Sequence, residues 1–235
     1  MLRTFLTGFS FGAILLVSVS SQAASVMPTF TDQGIDTSGT ATSTRMYRAD
    51  LTGLGLTEIS AIKLTDSNSG VGGSTGIYSG FDLDAIFLDV DGLLTTDGDR
   101  FFADSFQFSA GTTRPGGFQG PSPSGGPTNG SIDATTVDEA AATLNDIDGI
   151  FFGPGSLTLG DGGILTAIFS PKITVGSSLY LFAGEVSGDP GETLTGLVEI
   201  SDTPPTVVPL PAALPLLAGG LGLLGLAGFR RRATS

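Results

Sequence analysis

Between residues 45 and 200 the chain is cut into short apolar or alternating runs, the later ones separated by turns rich in Gly and Asp. Side chains two apart in a strand share a face, so a period near two is the signature of strands rather than helices. The runs at 45–50 and 56–64 are separated by Gly53 and Gly55. Residues 83–90 are apolar on both faces, with Ala85 and Phe87 on one and Ile86, Leu88 and Val90 on the other, as a central strand requires. Segment 101–109 alternates and places Phe102, Phe106 and Phe108 on one side. Runs at 156–159, 164–169, 179–186 and 193–200 complete the set. The pattern predicts an all-β domain over 24–202, an antiparallel β-sandwich or jelly roll.

The acids agree with this. Asp outnumbers Glu by 18 to 5. Glu favours helices, whereas Asp favours turns and side-chain bonds to the local backbone. Two stretches break the strand pattern. Segment 111–130 holds eleven Gly or Pro in twenty residues and predicts a long flexible loop. Thr136-Val137-Asp138-Glu139 has capping-box spacing and is followed by Ala140, Ala141 and Ala142, which predicts one short helix over 136–144.

The two ends read as addresses. Arg3 precedes an apolar run over 5–19, and Ser21-Gln22-Ala23 supplies the small-x-small pattern that signal peptidase accepts. A signal peptide over 1–23, cleaved after Ala23, is expected. At the other end Thr203-Pro204-Pro205 closes the domain and opens a stiff linker. Ala212 to Phe229 then gives 18 residues without a charge, about 27 Å as a helix, near the lower limit for a hydrocarbon core of about 30 Å. Arg230, Arg231 and Arg232 follow at once, and a basic cluster stays on the cytoplasmic side. Gly219, Gly222, Gly225 and Gly228 give the segment a small-residue ridge for close packing against another membrane helix.

In segment 203–235, the run Val208-Pro209-Leu210-Pro211-Ala212, the apolar segment and the Arg cluster stand in the order of a sorting signal. The tail resembles the PEP-CTERM family of tripartite tails, in its VPLPA variant. That resemblance implies recognition by an exosortase-like membrane protease of a Gram-negative bacterium. It further implies transient anchoring in the inner membrane, removal of the helix near the Pro motif, and delivery to the cell surface or extracellular matrix. The body is similar to β-sandwich modules found in such proteins, where a DxDA-like segment precedes a Gly-rich turn and a strand ending in Phe-Glu. Here Ala183-Gly184-Glu185 interrupts that ending.

Composition narrows the chemistry. The chain has no His, Cys or Trp, which excludes Ser-His-Asp and Cys-His catalysis, zinc sites built on His or Cys, and disulfides. Of its ten basic residues four lie in the two ends, which leaves six against 23 acids and a body charge of −17. Nucleic acid is not expected as a partner, because phosphate binding needs a basic patch. Cations and neutral glycans, such as extracellular polysaccharide, remain open.

Two segments repeat one spelling. Asp82-Leu83-Asp84-Ala85-Ile86-Phe87 is echoed by Asp146-Ile147-Asp148-Gly149-Ile150-Phe151. In a strand each Asp pair shares a face, and two like charges so placed call for exposure or a cation. Asp82, Asp84, Asp146 and Asp148 are thus candidate Ca²⁺ ligands, against the simpler reading of exposed acids before a buried strand. A second acidic cluster, Asp89-Val90-Asp91-Gly92 with Asp97-Gly98-Asp99, departs from EF-hand spacing at Leu93; it reads as an ordinary polar hairpin loop, with a structural Ca²⁺ of another geometry as the alternative. The Gly-rich run 160–163 lacks a Walker Lys and reads as a turn between strands. Carboxylate-based glycoside hydrolysis needs only two acids about 5 to 9.5 Å apart. With no Trp and three Tyr to stack sugar, the expectation is a non-catalytic structural or adhesive domain. The alternatives are a glycan-active enzyme and a Ca²⁺-dependent glycan-binding module.

Overall fold

The computed structural model describes residues 25–35, 44–71, 74–94, 98–116, 122–151, 153–186 and 197–203. Ala23, the 208–212 motif, the apolar segment 212–229 and Arg230 to Arg232 lie outside the described residues. Among the described residues no helix is long and apolar enough to cross a membrane.

The described chain is all-β. Its strands are β1 (Ser25–Val26), β2 (Phe30–Ile35), β3 (Thr44–Asp50), β4 (Glu58–Thr65), β5 (Asp82–Asp89) and β6 (Arg100–Phe102). They continue with β7 (Ser105–Ser109), β8 (Leu157–Thr158), β9 (Ile164–Thr174), β10 (Tyr180–Val186) and β11 (Leu197–Ser201). One sheet runs β1-β11-β4-β9-β7, and the other runs β2-β3-β10-β5-β6, with β8 also paired to β5. Every pairing is antiparallel.

The two sheets share one core, an arrangement consistent with a β-sandwich. Ile59, Ile62 and Leu64 of β4 and Leu165, Ala167 and Phe169 of β9 join Leu83, Ile86 and Leu88 of β5 and Leu181 of β10 in a single apolar cluster. Strand β5 is apolar on its other face as well. There Ala85 and Phe87 pack with Met46, Phe182 and Ile147. The Phe87 and Phe182 rings stack at 5.2 Å. The two-sided run in the sequence thus corresponds to a strand covered on both faces.

Several elements differ from the sequence expectation, among them β9, which runs on to Thr174 where the run ends at 169. Segment 101–109 is not one strand. It divides at Ala103-Asp104, and β6 lies in one sheet while β7 lies in the other. Asp104 makes the crossing: its N–H donates to the Ile168 carbonyl at 2.8 Å, and its carboxylate accepts from the Ser170 N–H at 2.6 Å. Phe108 consequently enters the core, while Phe102 stays exposed at the edge of the other sheet.

The helix expected over 136–144 is absent. Asp138 caps a single turn, its carbonyl accepting from Ala141 and Ala142 and its side chain from the Ala140 N–H. Beyond that turn Leu144 is buried and its carbonyl accepts from Ile86 N–H at 3.0 Å. Burying Ala142 and Leu144 against β5 outweighs a few weak helical bonds, since a first helical turn is costly to nucleate.

The described parts of segment 111–130 are irregular but held. Thr112 bridges Asp161, Gly76 bridges Arg114, and Thr128, Asn129 and Ser131 are buried and hydrogen-bonded. Strands β1 and β2 have no counterpart in the sequence reading. The exposed pattern of Phe30-Thr31-Asp32-Gln33-Gly34-Ile35 explains this, because an edge strand with little buried surface leaves no periodic apolar signal.

Candidate functional site

The repeated Asp-x-Asp segments meet in space. Strand β5 carries an extra residue opposite β10, where Ala183 pairs with Ile86 but Glu185 pairs with Leu83. At this irregularity the Asp84 side chain turns toward the loop that carries the second copy. Its Oδ1 accepts from Gly149 N–H at 2.7 Å and from Asp148 N–H at 3.2 Å, and its Oδ2 is bonded by the Thr44 hydroxyl. Burial pushes the Asp84 carboxyl up to about 6, against the pull of these donors. Asp84 therefore clasps a loop to the sheet.

The other three predicted ligands have separate surroundings. Asp82 is half-buried and bonded by the Thr158 hydroxyl across the β5–β8 pair. Asp148 accepts from the Thr143 hydroxyl at 2.5 Å. Asp146 is exposed and lines a groove of about 400 Å³ with Asp104, Phe106 and Glu139. The structure thus brings Asp84 to the backbone of Asp148, but it does not gather the four carboxylates around one point.

Asp66 does a similar task at the Gly-rich turn. One of its oxygens accepts from Phe81 N–H at 3.2 Å, and the other from Asn68 and Gly162 N–H, both at 3.0 Å. Beside it Arg114 reaches the Asp161 carboxylate at 3.3 Å and the Gly70 and Ser74 carbonyls. The glycines of the turn allow three backbones to touch: Gly111 N–H donates to the Leu159 carbonyl at 2.8 Å, and Gly163 N–H to the Gly160 carbonyl at 2.9 Å.

The carboxylates that do converge lie at the end of β5. Asp89 pairs with Arg100 across β5 and β6, and the connection between the two strands carries Asp91 and Asp99. One oxygen from each of Asp89, Asp91 and Asp99 lies within 4.8 Å of the others. Asp89 is fully buried. Its Oδ1 accepts from Asp91 N–H at 3.0 Å and Gly92 N–H at 2.7 Å. Gly92 adopts a φ of +74°, and a Cβ there would strike the Tyr180 ring. Asp89 Oδ2 has no hydrogen-bond donor, and Arg100 Nε stands 4.0 Å from it. Arg100 is held by the Leu94 carbonyl at 2.8 Å and lies over the Phe87 ring. Burial, together with the adjacent Asp91 carboxylate, raises the Asp89 pKa.

The ligand spacing of this cluster matches no local motif, which is why the sequence favours a polar loop there over a Ca²⁺ site of another geometry. The signal lay in the pairing instead: a hairpin that sets Asp89 opposite Arg100 draws Asp91 and Asp99 together at its end. No family model, curated protein or solved structure matches this chain.

Proposed function

We propose that the chain is an exported, non-catalytic β-sandwich protein, delivered to the cell surface or extracellular matrix by an exosortase-like system after cleavage by signal peptidase. The observation that carries the non-catalytic reading is the use made of two acids that the fold encloses, Asp84 buried and Asp66 half-buried. Asp84 and Asp66 are bonded to backbone N–H groups of distant loops, and so serve as clasps rather than as a pair facing a cavity. Catalytic acids of a glycoside hydrolase must instead face the substrate from opposite sides of its bond.

Delivery rests on the tail, where the 208–212 motif, the apolar segment and the Arg cluster succeed one another. Surface features of the body suit contact with polymer. Phe101 and Phe102 are partly exposed beside Pro171, Lys172 and Ile173, and Ile150 and Phe151 are exposed on a loop. The groove lined by Asp104, Glu139 and Asp146 offers hydrogen-bond acceptors to a neutral glycan. Incubated with extracellular polysaccharide, the protein should retain polymer and generate no new reducing ends. Release of reducing ends would establish the hydrolase reading instead.

Sorting makes its own prediction. Replacing Arg230, Arg231 and Arg232 together by Ser, or Pro209 and Pro211 together by Ala, should leave the tail uncleaved and the protein in the membrane fraction. Processing and release identical to the unaltered chain would remove the tail from its proposed role.

A further inference from the structure

We propose that Asp89, Asp91 and Asp99 form a Ca²⁺ site that closes the β5–β6 hairpin. This inference is independent of how the protein is sorted. Three carboxylates at one point are mutually repulsive, and one of them is withdrawn from water. Arg100 stands 4.0 Å from Asp89 Oδ2, too far for a hydrogen bond, and a single positive charge is fewer than the three carboxylates that meet there. A divalent cation would bridge the three carboxylates and relieve their repulsion.

The independent observation is Asp89 Oδ2. It is buried, lacks a hydrogen-bond donor, and belongs to a side chain whose other oxygen is already bonded to two N–H groups. Native proteins rarely leave a buried carboxylate oxygen without a donor or a metal. Asp89 is thereby fixed in orientation by the loop, and its remaining oxygen has no hydrogen bond and only the Arg100 Nε, at 4.0 Å, as an ion-pair partner.

The donor set selects the ion. All three ligands are hard carboxylate oxygens with no nitrogen or sulfur among them, which suits Ca²⁺ or Mg²⁺ rather than zinc or copper. Ca²⁺ binds at about 2.3–2.6 Å, so two of its ligands can stand up to about 5 Å apart, whereas Mg²⁺ at about 2.1 Å limits them to about 4.2 Å. A set of oxygens spread within 4.8 Å fits the larger shell. The exposed Asp91 side gives water access to complete the coordination. Its role is to hold together the two ends of a hairpin that borders the exposed Phe101–Phe102 face.

Chelator-treated full-length protein in detergent micelles should bind one Ca²⁺ in a calorimetric titration, and bind Mg²⁺ at least tenfold more weakly. At about a hundredfold excess over Kd, Ca²⁺ should raise Tm by roughly 5–10 °C. Asp91→Asn and Asp99→Asn should each weaken Ca²⁺ at least tenfold. Asp91 is exposed and holds only a local turn, so that variant folds and keeps the test decisive. A titration without heat together with a Tm indifferent to chelator would overturn the site. Equal affinity in both variants and the unaltered protein would also overturn it, by placing bound Ca²⁺ elsewhere.

Discussion

Asp84→Asn should abolish a pH-dependent component of stability amounting to about 3 kcal/mol between pH 4 and 7, while Asp84→Ala should destabilise the protein at every pH. The folded carboxyl titrates near 6, against about 3.9 in an unfolded chain. The native state therefore holds a proton over an interval in which the unfolded state has released it. An acid raised in this way contributes its stability below the unfolded pKa and loses it as pH rises through 6. About two units of displacement correspond to about 3 kcal/mol.

Asn is neutral at all pH values. It keeps a carbonyl oxygen for the Gly149 and Asp148 N–H groups and an amide that can face Thr44. At pH 7 it should match or exceed the parent in stability. Ala removes the acceptor and leaves two backbone donors without their partner, at a cost of about 3 kcal/mol. Urea unfolding of the three proteins between pH 4 and 7 measures both effects. An Asn variant whose pH profile parallels the parent would show that Asp84 does not carry the proton.

Gly163→Ala should cost about 3 kcal/mol, which lowers Tm by roughly 6–12 °C for a domain of this size. A Cβ at this position would overlap the Leu159 carbonyl, standing 2.6 Å from its carbon and 2.9 Å from Gly111 N. Every one of these neighbours is backbone, already joined by the bonds between Gly111 and Leu159 and between Gly163 and Gly160. Nothing there can yield without breaking the contact between the turn and segment 111–116. Gly176→Ala is the matched control, because a Cβ there would meet nothing nearer than 3.9 Å. Thermal melts should separate the two variants clearly. Equal Tm values would mean that the turn relaxes and that its glycines are not required by packing.

The same residues explain what could be read from the sequence. Strand β5 was legible because both of its faces are buried, so apolar residues at successive positions from Ala85 to Leu88 leave little choice of structure. Strands β3, β4, β10 and the first half of β9 were legible from their apolar runs and flanking turns, whereas β9 continues to Thr174, five residues past the expected run over 164–169. Strand β2 was not, since apart from Phe30 its side chains mostly face solvent. Segment 101–109 misled because period-two alternation does not reveal a change of sheet, which here depends on Asp104 meeting Ile168 and Ser170. The short helix failed for a tertiary reason, the burial of Leu144 against β5.

The candidate sites divide in the same way. The echo of Asp82-Leu83-Asp84 in Asp146-Ile147-Asp148 does mark a contact, but the contact is a carboxylate on backbone N–H groups. Asp89, Asp91 and Asp99 come together through strand pairing, which spacing along the chain does not encode.

Export followed by sorting is tested most directly by the intact mass of the protein recovered from the medium or outer surface of a host with an exosortase. The expected species begins at Ala24 and ends within or just after the 208–212 motif, and it is absent when the exosortase is deleted. A mass matching the whole 23.7 kDa chain, or a truncated species unchanged by that deletion, would contradict it.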